Sequence, residues 1–573
     1  MERRASQEAL NSAGQSTAGR RPLFGYGRKV WLAVLALAGF AGLLVVYMYG
    51  FLEIDSIIRP AVEEPAPMGD LPENTLADVD TTLKQQPPRF KRCSDLPIPE
   101  HYWNMTIEST PAFVDVPQAS KINVGESVCV RVVVPAKPLG TAQTFAPLSN
   151  APWDSVLVDL VGRATNVSVP VPLRMANHTH NQNRDLTHVY EADVVLRDAD
   201  IYSPEGYIEF RYALWNPEAS LDPQPFEPEK LQISDTLQVN VSDDDGVSPY
   251  SLQNYLDLPL CTEPNAEGRW ISAASLPFDA AQVPPPDNHN LVWLPYDCRL
   301  KRVKYQDFAT CLAQRYPTIH WFGDSNTRRA LKKVSTLGQW CAAEPNSLVC
   351  TCNDNSEKFT NYGAYKRISP FDLDPVDGGA VAPDGAVEPP ANRSRIVAFK
   401  WDGLTTRNDP PWADYFTQDF EAKLGHPSLA IVGVTNWDTA FETHAFFSGE
   451  VDKLAALIDA SYPTHLGHPN TDIVLRSGQY YCCTSDMDKF WKRRYSRLRN
   501  RFYDATLIDT FKQKLDGKRN VLVWDVAQIS ERRPYKYREE DVTKCAANHV
   551  RSEIVEIENQ VLMNALCNSG LEA

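Results

Sequence analysis

The chain has 573 residues, 43% hydrophobic and 23% charged, which suits a globular protein of two or more domains at ~100–200 residues each. Acidic residues outnumber basic ones, 73 to 57, and the net charge is −16. That balance excludes a general nucleic-acid binder, which needs a dominant basic surface.

Residues 1–29 form a short tail with Arg20, Arg21, Arg28 and Lys29 near its end. Val30 to Phe51 is an uncharged apolar run, followed by Glu53 and Asp55. About 20 helical residues span a bilayer. The positive flank predicts a single-pass anchor with the tail in the cytosol and the remainder luminal or extracellular. A cleaved signal peptide is the alternative, but its apolar region typically has ~7–15 residues and no small-residue cleavage site follows here. All twelve cysteines lie beyond the apolar run, as disulfides in an oxidising compartment require. So do the N-x-S/T sequons at Asn104, Asn166, Asn177, Asn240 and Asn392, the expected glycosylation sites. A type II anchor with a short basic tail is the layout of many Golgi enzymes, so a Golgi membrane location is expected.

Residues 52–92, rich in Pro, Asp and Glu, read as an extended stem. Across 93–250 the signals are β-type. "INVGESVCVRVVVP", "SVLVDLVG", "GYIEFRYALW" and "DTLQVNVS" alternate with period 2 between turn residues, which predicts a β-sandwich. From Leu256 to the end, over 256–573, strands alternate with helices. "TIHWFG", "SRIVAFKW", "SLAIVGVTNW" (Ser428–Trp437), "TDIVLRS" and "RNVLVWDV" read as strands, and "VDKLAALIDASY" and Val550–Leu566 as helices. This pattern predicts a mostly parallel, doubly wound sheet covered on both faces. Asp372 to Pro390, rich in Pro, Gly and Asp, reads as a surface loop.

The stretch "TIHWFGDSNTRRALKKV" places Ser325 between a strand and a helix. Open α/β sheets carry their chemistry at that position, and the helix N-terminus offers N–H groups to an oxyanion. A serine hydroxyl attacks only when a base takes its proton. The plainer reading is that Ser325 or Asn326 caps the helix.

"GDSNTRR" resembles block I of the SGNH (GDSL-like) hydrolase superfamily. Arg328, three residues after the serine, and "YDCRL" (Tyr296–Leu300) upstream are similar to the PC-esterase group. That group includes the trichome-birefringence-like polysaccharide O-acetyltransferases and the neurexophilin and PC-esterase domain proteins. The resemblance covers roughly Gly268 to Asn568, and an immunoglobulin- or filamin-like sandwich upstream fits the neurexophilin-type layout. It implies Ser325 as nucleophile and His549, in "CAANHVRSEIVEIENQVLMNALC", as base. It also implies Gly403 and Asn436 as oxyanion donors, and "GVTN" is one residue longer than the usual G-x-N. Asp324 and Arg328 are candidates for support. Ala546 stands where the superfamily carries an Asp three residues before the histidine, so Asp541 or Asp525 would have to reach the imidazole, or the site works as a Ser–His dyad. His320 and His444 are rival bases, each read as structural.

"KFWKRRYSRLRNRF" (Lys489–Phe502) reads as a helix with an apolar face and a solvated basic face, or as a groove wall for an anionic glycan or acyl donor. Cys350, Cys352, Cys482 and Cys483 lack matching His spacing and read as disulfide partners, so no metal is expected. No cofactor is expected beyond an acyl donor. The resemblance implies a glycan or polysaccharide as acceptor and O-acetyl transfer as the reaction. O-acetyl ester hydrolysis is the first alternative, and an inactive glycan- or protein-binding glycoprotein is the second.

Overall fold

The computed structural model describes residues 92–568 apart from 107–109, 118–120, 136–154, 177–186, 211–228, 244–247, 342–367, 377–378, 384–388, 402, 405–411, 417–424, 463–469, 481–496 and 539–548. The expected tail, anchor and nearly all of the stem lie outside the described residues, as do Asn177, Cys350, Cys352, Cys482, Cys483, Asp541 and Ala546. Among the described residues no helix is long and apolar enough to cross a membrane.

The N-terminal part is a pair of packed sheets. One runs Phe113–Asp115, Ser127–Val134, His188–Val195, Arg174–Met175 in spatial order, all antiparallel. The other runs Lys121–Asn123, Val239–Ser242, Asp200–Phe210, Ser155–Gly162, Ser168–Pro170. Strand alternation sorts the side chains. Val128, Val130, Val132 and Val134 enter the core between the sheets with Val156, Val158 and Leu160. The opposite face of the same strand is also covered: Cys129 is joined to Cys93, and Arg131 donates to the Cys93 and Pro97 carbonyls at 3.1 Å.

The C-terminal part is built on a seven-stranded sheet. Its strands are β1 (Thr318–Gly323), β2 (Ile368–Asp374), β3 (Gly379–Val381), β4 (Ser394–Lys400), β5 (Leu429–Gly433), β6 (Asp472–Arg476) and β7 (Val521–Trp524). Their spatial order is β3-β2-β4-β1-β5-β6-β7. Strands β4, β1, β5, β6 and β7 are parallel, and β2 and β3 form an antiparallel edge. Counted along the chain, the parallel strands lie in the order 2-1-3-4-5, with the switch point between β1 and β5, where such sheets open a crevice.

The helices are α1 (Tyr305–Arg315), α2 (Ser325–Ser335), α3 (Thr435–Phe441), α4 (His444–Ser461), α5 (Arg497–Leu515), α6 (Val526–Glu531) and α7 (Ser552–Cys567). Ile319 and Trp321 of β1 pack with α1, α2 and α7 on one face, and Phe322 packs with α4 and α5 on the other. Both faces are therefore buried, which explains the near-continuous apolar runs of these strands. A disulfide joins Cys311 of α1 to Cys567 of α7, and another joins Cys261 to Cys298. Cys341 is also disulfide-bonded, and there are no free cysteines among the described residues. These bonds fit a luminal or secreted protein.

Three sequence readings need correction. The supposed loop Asp372–Pro390 instead ends β2 and supplies β3, with Asp372 opposite Val381 and Asp374 opposite Gly379. Asp372 and Asp374 are buried, and Arg395 and Arg393 of the neighbouring segment pair with them. The run Ser428–Trp437 is not one strand: β5 stops at Gly433 and α3 starts at Thr435. Finally, the described part of the basic helix does not present a solvated basic face. Arg497 and Arg499 are buried in α5. Arg497 lies 3.6 Å from Glu531 and from Asp159 of the sandwich strand Ser155–Gly162. Arg499 donates to the Thr439 and Glu442 carbonyls, and Arg501 pairs with Asp525 and Glu531 at 2.7 and 2.8 Å. Internal acceptors use these guanidinium groups, so they wall no groove. Arg538 joins the same buried cluster on Asp159, and Tyr535 stacks on Tyr207 of the sandwich at 5.0 Å.

Candidate active site

Strand β1 ends at Gly323, and α2 begins two residues later at Ser325. The glycine is required by space: a Cβ there would lie 2.5 Å from Thr327 Cβ, so the first turn of α2 comes down directly onto the strand end. Gly433 at the end of β5 is equally hemmed in, with Thr327 Oγ1 2.5 Å from where its Cβ would be. Asp324 is the helix cap. Its Oδ1 accepts from the Asn326 and Thr327 amides at 2.9 and 3.2 Å. Neither Ser325 nor Asn326 has that duty, and the Ser325 hydroxyl turns elsewhere. Its Oγ lies 2.8 Å from Nε2 of His549. Both residues are half-buried.

His549 comes 224 residues later and stands just ahead of α7. Its neighbour is anchored from α2: the buried Arg329 donates from Nη1 to the Val550 carbonyl at 2.5 Å. Arg329 follows Ser325 by one helical turn, so one face of α2 carries the hydroxyl and the grip on the histidine segment. The Arg329 guanidinium also lies over the Trp340 ring at 5.1 Å.

The strand register sets the flanks. Gly323 is opposite Lys400 of β4 on one side and Gly433 of β5 on the other. Gly403 follows Lys400 and Asn436 follows Gly433, so the two predicted oxyanion donors leave the sheet at the same edge as Ser325 and on either side of it. Gly403 has φ +151°, a conformation that suits glycine. It lies against Asp438, whose Oδ1 is 2.8 Å from where a Cβ would stand and whose Oδ2 accepts from the Leu404 amide at 2.6 Å. Asp438 is on α3, two residues beyond Asn436, and is fully buried. Asn436 is buried too, and its Oδ1 accepts from the Gln479 amide at 2.6 Å. That bond fixes which end of the side-chain amide is acceptor and makes the other end the donor.

No protein-family model matches this chain, and no curated protein does.

Arg328 is half-buried on α2. Asp525 caps α6 and makes its hydrogen bonds to Gln528 N, Ser477 Oγ and Arg501, so it does not orient His549. His320 is buried with Nδ1 2.8 Å from Tyr462 Oη. His444 Nε2 lies 2.7 Å from Thr506 Oγ1, and burial, aided by the charge of Arg499, pushes its pKa down to about 4. Neither histidine touches Ser325. Asn104, Asn166, Asn240 and Asn392 are all exposed, as glycan attachment requires.

Four residues that hold the site were not found from the sequence: Arg329, Asp438, Gln479 and Asp504. Arg329 sat inside a basic run, where its spacing from Ser325 was the only signal. Asp438 was visible as an acid near Asn436 but had no evident duty. Asp504 lies on α5, and its Oδ1 accepts from Gly478 N at 2.7 Å and Thr435 Oγ1 at 2.8 Å, tying the segment after β6 to the start of α3. Burial pushes its carboxyl up to about 7 against the opposing charge of Arg501.

Proposed function

We propose that this chain is a serine acyl-ester enzyme of SGNH, PC-esterase type, and that it transfers O-acetyl groups to a glycan hydroxyl in the lumen of a Golgi-type compartment. The observation that carries the reading is the 2.8 Å separation of Ser325 Oγ and His549 Nε2 at the switch point of the sheet. With Nε2 as acceptor, the imidazole carries its proton on Nδ1. His549 takes the Ser325 proton as Oγ attacks the acetyl carbonyl of the donor. The donor's C–O or C–S bond breaks, the leaving group takes the proton from His549, and acetyl-Ser325 remains. A sugar hydroxyl then gives its proton to His549 and attacks the acetyl carbonyl; the acyl C–Oγ bond breaks, Ser325 Oγ takes the proton back from His549, and the acetylated sugar leaves. The Ser325 amide at the helix start, the Gly403 amide and the Asn436 side-chain amide are the donors assigned to the oxyanion. The disulfides and the exposed sequons support a luminal setting.

Hydrolysis of O-acetyl esters by the same residues is the second reading. It is favoured by the half-exposure of Ser325 and His549, which admits water as acceptor. Mass spectrometry of glycans from a deletion strain separates the two: acetylation falls if the enzyme is a transferase and rises if it is an esterase. Full rescue of the deletion by Ser325→Ala refutes both. Failure of folded protein to be labelled at Ser325 by a fluorophosphonate, across the pH range where a histidine is neutral, leaves a binding protein.

A further inference from the structure

We propose that Arg476 and Glu558 are positioning residues that hold the base and the oxyanion amide in register; the inference rests on the acyl-transfer reading above. Arg476 closes β6 and Glu558 lies in α7, and both are fully buried. Arg476 Nη2 donates to Glu558 Oε2 at 3.0 Å and to Gln479 Oε1 at 2.9 Å. The Gln479 amide in turn donates to Asn436 Oδ1 at 2.6 Å. Gln479 is held at two more points, by Ser530 Oγ and by Asn500 Nδ2. Burial raises the Glu558 carboxyl above its ordinary range, against the opposing charges of Arg476 and Arg329. On α2, Arg329 grips the Val550 carbonyl next to His549. A continuous buried, hydrogen-bonded path therefore runs from Asn436 through Gln479 and Arg476 to Glu558 on α7, the helix that His549 precedes.

A buried ion pair is weak evidence for stability, because desolvation offsets the attraction and apolar replacements are often as stable. Registry is the better-attested use of such a pair. Geometry gives it that use here. Helix α7 starts directly after the histidine segment, so sliding α7 along the sheet carries His549 with it. At its far end α7 is fixed by Cys311–Cys567 and by Gln560 and Asn564 on the backbone of Val303 and Lys301. Nearer to His549 the helix is held by Glu556 on Tyr305 Oη and Lys333 Nζ at 3.0 and 3.1 Å and by the Arg476–Glu558 clasp, which also sets the angle of Gln479 through the same guanidinium.

The test uses the full chain with p-nitrophenyl acetate as acyl donor, reading acylation of Ser325 and the release of p-nitrophenolate together with the melting temperature. The double variant Arg476→Met/Glu558→Met is expected to melt within a few degrees of the wild type. Its acylation kcat falls roughly 100-fold with KM nearly unchanged, as a misplacement of about 1 Å costs. A folded double variant with wild-type kcat overturns the proposal. If the double variant does not fold, Glu558→Gln decides: a comparable fall in kcat in folded protein supports the clasp, and a wild-type rate refutes it. A wild-type chain that is not acylated at Ser325, beside an equally silent Ser325→Ala control, refutes the enzyme reading itself and with it the role of the clasp.

Discussion

Replacement of Gly403 by alanine perturbs one methyl group at a point where conformation, packing and the proposed chemistry meet. At φ +151° an L residue is strained, at a cost of about 1–3 kcal/mol. The new Cβ would stand 2.8 Å from Asp438 Oδ1 and 3.1 Å from its Cγ and Oδ2. Asp438 has no room to retreat, since it is fully buried in α3 and accepts the Leu404 amide at 2.6 Å. If the loop holds its place, the strain stays in the folded state; if Asp438 yields, the charged hydrogen bond is lost, worth roughly 1.5–3 kcal/mol. The combined loss of stability is about 2.5–6 kcal/mol. If the backbone relaxes instead, stability recovers but the Gly403 amide leaves its position, and losing one oxyanion donor slows acylation by about 10²–10³. Urea unfolding and the rate of fluorophosphonate labelling, measured on the same preparation, separate the routes. A Gly403→Ala chain within 0.5 kcal/mol of wild type, the usual scatter of neutral substitutions, that also labels at the wild-type rate refutes both the packing argument and the oxyanion assignment.

Removing the Cys311–Cys567 disulfide by paired serine substitutions opens a loop closed across 256 positions, and the chain-entropy model puts the loss at about 5.5 kcal/mol; thermal melting checks it. Asp159→Ala leaves Arg497 and Arg538 buried without their sandwich carboxylate, and urea unfolding should show a loss of about 3–5 kcal/mol. Asp504 holds its proton up to about pH 7 when folded against an ordinary 3.8, so the folded state binds the extra proton. Stability from this group is present at low pH and declines as pH rises from about 4 to about 7, by at most about 1.4 kcal/mol per unit. Melting curves across that window should be flatter for Asp504→Asn than for wild type.

The parallel strands of the C-terminal sheet were legible because burial on both faces forces long apolar runs, and Gly323 marked the end of β1. The hairpin inside Asp372–Pro390 was hidden because Asp372 and Asp374 are paired with Arg395 and Arg393, more than a dozen residues away in sequence, and no local pattern shows that pairing. The α3 start was hidden because Thr435 and Asn436 continue an apolar strand without a break. At the candidate site, Ser325 and His549 stood out by residue type and context. The residues that aim them did not, since a buried Arg329 or Asp504 looks like any surface charge until its partner is in place. The same holds for the arginines of α5, whose partners lie on another part of the fold.

The division of tasks at the β1–α2 turn has a further consequence. Asp324 secures the helix, and Ser325 contributes nothing to that cap. The hydroxyl can therefore be removed, or exchanged for a thiol, with the turn, the helix and the grip of Arg329 on Val550 left as they are. Loss of chemistry at this position is a single-step change that folding stability does not oppose. Two copies of this chain, one acylating and one silent, would be indistinguishable by melting temperature and shape, and only a reagent that bonds to the hydroxyl would tell them apart.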